Sequence, residues 1–441
     1  MSFIRPISIS LSPNTERDDV RLALKTIFRP WLWKRGKAIL ELEEEFKKYL
    51  GVKYAFSFNS GRSSLMAILK VLNLEKGSEV LLQAFTCNAA INPIIWSGLK
   101  PVYIDCDENT FNIDLEDLER KITVRSKIVI VQHTFGLPAF AKASAGKPAE
   151  INEILEICRQ NNSTGSPQDN LILIEDCAHA LGAEYNGQKV GTFGKAGFFS
   201  FSRDKVISSI YGGMAVTNDP LLAERIRQAQ DKFGYPSYYW VFQQLLHPIL
   251  INWIILPIYN FLDLGKIFLV LSQWFHILSK AVHWKEKRGE KPAYFPKKLP
   301  NGLALLALNQ FKKLDKFYQH RQKISKFYYE ALRNSSFEVS ENLSPEILER
   351  KNIKHSFLRF TIKHKKAQEI IYQAWNKKNI LIGDWYTSPI APDDTNLEKL
   401  SYKIGMCPKA EKLSKITLNL PTHINISQEK AQKIIDFLKE F

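Results

Sequence analysis

Apolar runs typical of buried strands alternate with helical patterns along the first half of the chain. The strand-like runs are, in order, YAFSF, EVLLQA, KPVYIDC, KIVIVQHT and LILIEDC. Alternation of this kind predicts a mainly parallel sheet with helices covering its faces. We therefore expect an α/β fold whose three-layer α/β/α large domain covers residues 1–235, with ligands at the carboxyl ends of the strands.

The pattern changes near residue 300. Residues 300–335 carry a long helical pattern that predicts a connecting helix, and residues 336–441 are predicted to form a smaller C-terminal α+β domain. Two segments, 140–150 and 161–170, are rich in small, polar and turn-forming residues and interrupt the large domain. We interpret both as surface insertions.

Residues 236–299 are predicted to form an apolar and basic insertion. No Asp, Glu, Lys or Arg occurs between Lys232 and Asp263, and a basic run starts after a second apolar stretch. The first stretch approaches the roughly 20 residues that a membrane-spanning helix needs, but Pro248 and Pro257 interrupt it. The flanking domains must fold on one side of any membrane, and the short connector makes two full crossings tight.

The favoured interpretation is an apolar helical hairpin that contacts a membrane surface through residues 240–298. Tryptophans would then lie at headgroup depth and lysines near anionic lipid. These tryptophans are Trp240, Trp253, Trp274 and Trp284. The alternative is a hydrophobic helical pair buried in a dimer interface or over the active site.

Composition narrows the possible functions. The chain has 441 residues, 45% of them apolar and 24% charged, which is typical of a globular protein with two or more domains. Its five cysteines are scattered without a CxxC pair, which argues against a disulfide framework or a metal site and favours a reducing cytoplasm. The N-terminal residues lack the basic start and apolar core of a signal peptide. The net charge of +16 indicates a lysine-rich surface or a patch for anionic partners, but no nucleic-acid motif accompanies it.

A carboxylate and a lysine follow two of the apolar runs. Asp176 ends the run LILIED, and Lys205 comes shortly after GFFSF. This pairing suits pyridoxal phosphate, because a lysine can bond covalently to the cofactor's aldehyde and an acid can keep its pyridine nitrogen protonated. The structural alternatives are a helix cap for Asp176 and a solvated surface charge for Lys205.

Several motifs resemble those of the DegT/DnrJ/EryC1/StrS family of pyridoxal-phosphate-dependent sugar aminotransferases, which have the type I fold of these transferases. The motifs are FSFSRDK followed by GGM and AVTND, IEDCAHALGA, and PKAEKLSKITLNLPTHINIS near the end. The resemblance implies that Lys205 is catalytic and that Asp176 holds the pyridinium. It also implies that His179 lies against the cofactor ring or its 3-oxygen, with a packing histidine as the alternative.

The same resemblance implies a phosphate site. Ser60, Gly61 and Arg62 open a predicted helix in a segment similar to the family's SGT, and backbone N–H groups at a helix start favour an anion. Arg62 replaces a small hydroxyl residue, so its side chain either adds charge to the site or points to solvent. Ser200 matches a residue that contacts the phosphate in relatives.

Three features depart from the family pattern. Cys87 stands where an aromatic residue often covers the cofactor ring, so we expect a thinner cover there. Ile210 and Tyr211 replace the usual Gly and Glu after the lysine. An asparagine that relatives send across the dimer has no clear equivalent, because its region is rewritten here.

The resemblance implies transfer of an amino group from glutamate, the family's usual donor, to a keto-sugar acceptor. The acceptor's carrier is left open as a nucleotide or a lipid, and the product is expected in amino-sugar or surface polysaccharide synthesis. A homodimer with shared active sites is implied, in the cytoplasm or peripheral on the inner face of the cell membrane. A sugar dehydratase and a non-catalytic membrane-associated regulator are the alternatives; Lys205 favours transamination, because dehydrating relatives carry histidine there.

Overall fold

Seven strands form the central sheet, and six of them run in the same direction. The computed structural model describes residues 5–139, 151–160 and 171–441, so both predicted surface insertions, 140–150 and 161–170, lie outside the described residues. The strands are β1 (Tyr54–Phe58), β2 (Glu79–Gln83), β3 (Lys100–Ile104), β4 (Ser126–Gln132), β5 (Ile172–Asp176), β6 (Ala196–Ser200) and β7 (Gly213–Thr217). Their order across the sheet is β1-β7-β6-β5-β4-β2-β3, with β7 antiparallel to its neighbours. The predicted α/β class and mainly parallel sheet are confirmed.

Helices cover this sheet and build the rest of the molecule. Those before the insertion are α1 (Arg17–Ile27), α2 (Ala38–Leu50), α3 (Gly61–Val71), α4 (Asn88–Trp96), α5 (Leu115–Lys121), α6 (Ile151–Gln160) and α7 (Pro220–Phe233). Those that follow are α8 (Tyr238–Leu250), α9 (Leu264–Trp274), α10 (Asn301–Phe311), α11 (Leu314–Leu332), α12 (Pro345–Arg350), α13 (Ala367–Lys377), α14 (Pro408–Ile416) and α15 (Gln428–Leu438).

Strand register brings two chemically distinct groups to one edge of the sheet. Asp176, the last residue of β5, pairs with Gln132 on β4 and with Phe198 on β6. Two residues farther along β6, Ser200 pairs with Gly213 of β7. The acid and the hydroxyl are therefore near neighbours at the carboxyl edge, where parallel sheets bind ligands.

A buried carboxylate shapes the loop that follows β5. Both oxygens of Glu175 accept hydrogen bonds from backbone N–H groups of the 191–194 loop, and Oε2 also lies 3.1 Å from Nε2 of His133. The other imidazole nitrogen of His133 accepts from the backbone N–H of Ala139. Although Cys177 completes a group of three potential metal ligands here, protein partners already account for the burial of Glu175 and His133.

The small domain is tied to the chain's beginning. Its strands β8 (Arg359–Lys363) and β9 (Thr417–Pro421) are antiparallel. Residues 7–8 pair in parallel with residues 380–381 of this domain, so the N-terminal segment crosses from one predicted domain to the other. The predicted boundaries at 235, 299 and 335 remain predictions.

The single connecting helix predicted over 300–335 is wrong, because α10 and α11 are separate. The break falls at Lys312 and Lys313. The ammonium of Lys313 donates hydrogen bonds to the carboxylates of Asp18 (2.9 Å) and Asp19 (3.0 Å) of α1. The break lets α10 pack against α1 and α2 while α11 packs against α15.

The insertion contains the predicted pair of apolar helices. Helix α8 continues through a π-helical turn at Ile251–Ile255 and packs against α1 and α10. Trp240 is buried, with its ring against those of Tyr211 and Tyr294, so its predicted place at headgroup depth is wrong. The other three tryptophans of the prediction are exposed: Trp253 by 54%, Trp274 by 70% and Trp284 by 53%. No helix among the described residues is both long enough and apolar enough to cross a membrane.

A buried histidine makes folding sensitive to acid. Nε2 of His423 donates to the carbonyl of Ser8 at 2.8 Å, and burial lowers the pKa of His423 to about 3. The folded state therefore binds fewer protons than the unfolded chain, whose histidine pKa is near 6.5. The stabilisation is complete above that unfolded pKa and is lost as pH falls from about 6.5 towards 3.

We expect His423→Gln to weaken this acid sensitivity. The unfolding free energy of the wild type should fall between pH 7.5 and 5, and the variant should lose less of it, by up to about 2 kcal/mol. Urea unfolding at both pH values measures this difference. His276→Gln, at an exposed position, serves as the control, and equal pH slopes for wild type and His423→Gln would contradict the assignment.

Candidate active site

A cavity of about 640 Å³ lies at the carboxyl edge of the sheet. All three parts of the molecule line it, because Asp176 and Lys205 come from the large domain, Arg359 from the small domain, and Ile251 and Leu269 from the insertion. The acid and the lysine that sequence reasoning paired therefore face the same space. The structure also brings Gly61, Arg62, Cys87, His179 and Ser200 to this cavity, whereas the predicted site residue Ser60 is not among its lining residues.

Lys205 sits in an environment that favours its neutral amine. Its Nζ lies 4.4 Å from the ring centre of Trp385. Burial lowers the pKa of Lys205, and the nearby positive charge of Arg359 acts in the same direction, while Asp204 opposes it. A lowered pKa leaves more of the lysine unprotonated near neutral pH, as a nucleophile or proton acceptor requires.

The backbone of Lys205 is held from outside its own loop. Nδ2 of Asn14 donates to the carbonyl of Lys205 at 2.5 Å and to that of Val206 at 3.1 Å. Oδ1 of Asn14 in turn accepts from Nη2 of Arg321 at 2.8 Å. Sequence reasoning missed Asn14, since its contacts lie about 190 and 300 residues away.

Asp176 and His179 occupy the floor of the cavity. Oδ1 of Asp176 accepts the backbone N–H of Ala178 at 2.9 Å, and burial raises the pKa of Asp176, while the positive charge of Lys205 opposes that rise. Nδ1 of His179 accepts the backbone N–H of Phe135 at 3.2 Å, which leaves Nε2 to carry the proton. Burial holds the pKa of His179 well below its usual range, so the imidazole is neutral.

The start of α3 meets β6 and β7 at the predicted phosphate end. Ser60 caps the helix by accepting the N–H of Ser63, and no acceptor among the described residues bonds the N–H groups of Gly61 and Arg62. A Cβ on Gly61 would lie 3.0 Å from the Cβ of Ser200, so the hydroxyl stands directly beside the free helix start. Two unpaired N–H groups, a helix dipole and a hydroxyl form a site that suits a phosphate.

Arg62 points neither to solvent nor freely into the cavity. Its Nε lies 2.5 Å from Oε2 of Glu286, and both side chains are buried. Burial disfavours the charge on Arg62, but the Glu286 carboxylate, with smaller contributions from Tyr211, Cys87 and Tyr294, more than offsets this and raises the pKa of the guanidinium. The solvent-facing alternative is wrong, and Glu286 is a member of the basic run whose burial the sequence did not reveal.

Tyr211, which with Ile210 departs from the family pattern, also contacts the insertion. The hydroxyl of Tyr211 donates to the carbonyl of Lys280 at 2.8 Å, and nearby Arg203 donates to the carbonyl of Ser279 at 2.6 Å. Ile210 has a φ of 70°, a left-handed conformation that a β-branched residue adopts only at a cost in energy. The insertion is thus fastened to the lysine segment.

Two further cavity residues were missed by sequence reasoning. The guanidinium carbon of Arg359 stacks 3.4 Å from the ring centre of Trp385, and Arg359 forms an ion pair with Asp204 at 3.2 Å. Trp385 also stacks on the imidazole of His179 with centroids 5.4 Å apart. A charged residue inside the apolar strand FLRFTI was the available signal for Arg359; no comparable signal marked Trp385.

Comparison with protein families identifies the family of the chain. The model of the DegT/DnrJ/EryC1/StrS aminotransferase family matches residues 14–241 and 273–439. The chain belongs to this family. Its members depend on pyridoxal phosphate, so the predicted cofactor and enzyme class are confirmed. The matched region omits residues 242–272, which contain most of the apolar hairpin.

Three similar proteins show how far the resemblance extends along the chain. The uncharacterized protein MJ1066 of Methanocaldococcus jannaschii is 27% identical over 444 residues, covering 100% of this chain and 97% of that protein. GDP-perosamine synthase of Caulobacter vibrioides is 33% identical over 241 residues, which are 54% of this chain and 60% of the enzyme. Helicobacter pylori PseC, an aminotransferase of pseudoaminic acid biosynthesis, shares the fold with a TM-score of 0.71 and 22% identity, over 99% of each chain.

The buried pair of Arg62 and Glu286 gives a test of the site's architecture. Arg62→Ala or Glu286→Gln alone should each lower the unfolding free energy by about 3 kcal/mol, because each leaves a buried charge unpaired. The double variant should lose less than the sum of the two single variants. Urea unfolding of all four proteins measures this coupling.

Lys433→Ala is the matched control, since Lys433 pairs with Glu429 at the surface. Its loss should cost no more than about 0.5 kcal/mol. Additive effects of the Arg62 and Glu286 substitutions would show that the two side chains do not interact energetically.

Proposed function

We propose that the protein is an aminotransferase that moves an amino group from glutamate to a keto-sugar during amino-sugar or surface polysaccharide synthesis. The observation that carries this proposal is the meeting of Lys205, Asp176 and the free start of α3 around one cavity. The named activity of GDP-perosamine synthase, a relative that shares about half of this chain, supports a sugar acceptor.

The residues present fit pyridoxal phosphate. Asp176 would hold the pyridine nitrogen, and His179 and Cys87 would lie beside the ring. The N–H groups of Gly61 and Arg62, with the hydroxyls of Ser60 and Ser200, stand at the phosphate end. When bound, the cofactor supplies an electron sink that lets a proton leave the carbon bearing the amino group.

Lys205 performs the proton transfers in this scheme. Its neutral Nζ takes the proton from the amino-bearing carbon of glutamate and returns a proton to the sugar carbon that receives the amino group. The ring of Trp385 restricts where Nζ can move, because it lies 4.4 Å away. The neutral imidazole of His179 can donate a hydrogen bond through Nε2 without adding a second positive charge beside Lys205.

The proposal extends to assembly and location. We infer a homodimer with shared active sites, as the family resemblance implies, and a cytoplasmic protein that contacts the inner face of the cell membrane through residues 240–298. The exposed tryptophans Trp253, Trp274 and Trp284 support the membrane contact.

Lys205→Ala provides the direct test of the enzyme proposal. The wild type should show the visible absorption band of lysine-bound pyridoxal phosphate, and glutamate should remove that band as the cofactor takes up the amino group. The variant should lack the band and should lose activity by roughly 1,000-fold or more. Absorption spectra with and without glutamate measure both effects.

Lys195→Ala, which removes a surface lysine paired with Asp219, should keep the band. A wild type that binds no chromophore would favour the non-catalytic regulator. A band that glutamate leaves unchanged would instead favour another amino donor or the dehydratase.

The homodimer has its own test. Sedimentation equilibrium of the protein loaded with pyridoxal phosphate should give twice the mass of one chain at micromolar concentration. A monomer that nevertheless turns over with glutamate would contradict the shared active sites.

A further inference from the structure

Helix α9 is apolar on every side yet only one side of it is covered. Its residues Ile267, Val270, Leu271 and Trp274 are exposed by 50%, 64%, 42% and 70%, and Phe275 just after it by 61%. We call these five residues the α9 face. Lys266 is the only charged residue of the helix. A helix without a polar side is typical of a protein core or a membrane, so we expect the α9 face to be covered when the protein works.

The opposite side of the same helix lines the catalytic cavity. Leu269 and Gln273 of α9 face that space, together with Ile251 and Tyr259 of the adjoining turns. Most of this wall is absent from the family pattern, which stops at residue 241 and resumes at 273. One structural addition thus provides both an exposed apolar face and a mainly apolar wall for the substrate.

The charges around the α9 face decide between a second copy of the chain and a membrane. Six cations follow or flank the face, against two exposed acids, Asp263 and Glu290, because Glu286 is buried against Arg62. The cations are Lys266, Lys280, Lys285, Lys287, Arg288 and Lys291. Lys266 and Lys287 have carboxylate neighbours in Asp263 and Asp394. A symmetric contact between two copies would oppose the remaining positive charges, whereas an anionic lipid surface would attract them.

We propose that the sugar acceptor is carried by a membrane-anchored lipid phosphate, and that the α9 face rests in the membrane from which this carrier is drawn. This inference rests on the aminotransferase function proposed above. The carrier's hydrocarbon chain lies along Ile251 and Leu269, and its phosphate meets Lys280, a cavity-lining lysine with no carboxylate partner among the described residues. Besides the polar Gln273 and Tyr259, this wall presents the aliphatic side chains of Ile251, Leu269 and Val282, a surface that suits a hydrocarbon chain.

The membrane contact is tested by flotation of the pyridoxal-phosphate-loaded protein with vesicles. The vesicles contain phosphatidylcholine alone or phosphatidylcholine and phosphatidylglycerol in equal parts. The wild type should float with the anionic vesicles. A triple variant, Ile267→Glu, Val270→Glu and Trp274→Glu, should bind them roughly 100-fold more weakly.

The control variant carries Phe28→Glu, Trp31→Glu and Leu40→Glu, at positions exposed by 71%, 70% and 63% outside the insertion. It should float like the wild type. Both triple variants should keep the cofactor band, which separates a lost membrane contact from a lost fold. A wild type that keeps its band but does not bind vesicles, including one that self-associates through the α9 face, would overturn the proposal.

The carrier is tested by cysteine labelling inside and outside the cavity. Gln273→Cys places a thiol on the cavity wall, and Val270→Cys places one on the α9 face. Vesicles doped with a long-chain polyprenyl phosphate should slow maleimide labelling at position 273, as read by peptide mass spectrometry. Vesicles given the same charge with phosphatidylglycerol should not slow it, although both kinds should protect position 270.

The possible outcomes distinguish a failure of the lipid carrier from a failure of the aminotransferase function. Equal labelling of position 273 in both kinds of vesicle would overturn the lipid carrier while leaving the aminotransferase proposal intact. A wild type that shows no cofactor band responding to glutamate would instead contradict the aminotransferase function on which the inference rests.

Discussion

The side-chain amide of Asn14 joins three distant parts of the chain at Lys205, the lysine proposed to be catalytic. It donates to the carbonyls of Lys205 and Val206 and accepts from the guanidinium of Arg321. Arg321 is buried, and burial lowers its pKa to about 9. Because Nη1 of Arg321 also donates to the carbonyl of Leu358, the small domain is held against the lysine loop by directional bonds. The position of Nζ therefore depends on the N-terminal segment and on α11 as much as on the sheet.

The insertion explains two residues that depart from the family pattern, Arg62 and Tyr211, because both contact it. Arg62 pairs with Glu286, Tyr211 bonds to the carbonyl of Lys280, and Arg203 bonds to that of Ser279. Each of these side chains lies beside the cavity and reaches residues 279–286. A small hydroxyl residue at position 62 would leave Glu286 buried without its cation, at a cost of several kcal/mol. The unusual residues and the insertion thus form one structural unit.

Local patterns predicted the parts of the fold that local interactions determine. The apolar runs gave the central strands because each is buried on both sides, and Ser60 marked the start of α3 because a hydroxyl caps its free N–H groups. The break at Lys312 escaped prediction, since it depends on Asp18 and Asp19 some 290 residues earlier. The same limit applies to Trp240, which packs against Tyr211 and Tyr294, residues distant from it in sequence.

The residues of the candidate site also divide into those that local sequence predicts and those that only the tertiary structure reveals. Asp176 and Lys205 were predictable because motifs surround them, whereas Arg359 and Trp385 reach the cavity only when the small domain packs against the sheet. Their arrangement determines how the cavity handles charge. Glu286 compensates Arg62 and Asp204 compensates Arg359, so neither guanidinium is free to neutralise a phosphate fully. At the proposed phosphate site, an anion at the start of α3 would then depend on backbone N–H groups and the helix dipole, which can hold a phosphate without fixing a second cation near Lys205. That separation leaves burial as the largest influence on the pKa of Lys205, which stays lowered although Asp204 opposes it, and so favours the neutral amine that the proposed proton transfer needs.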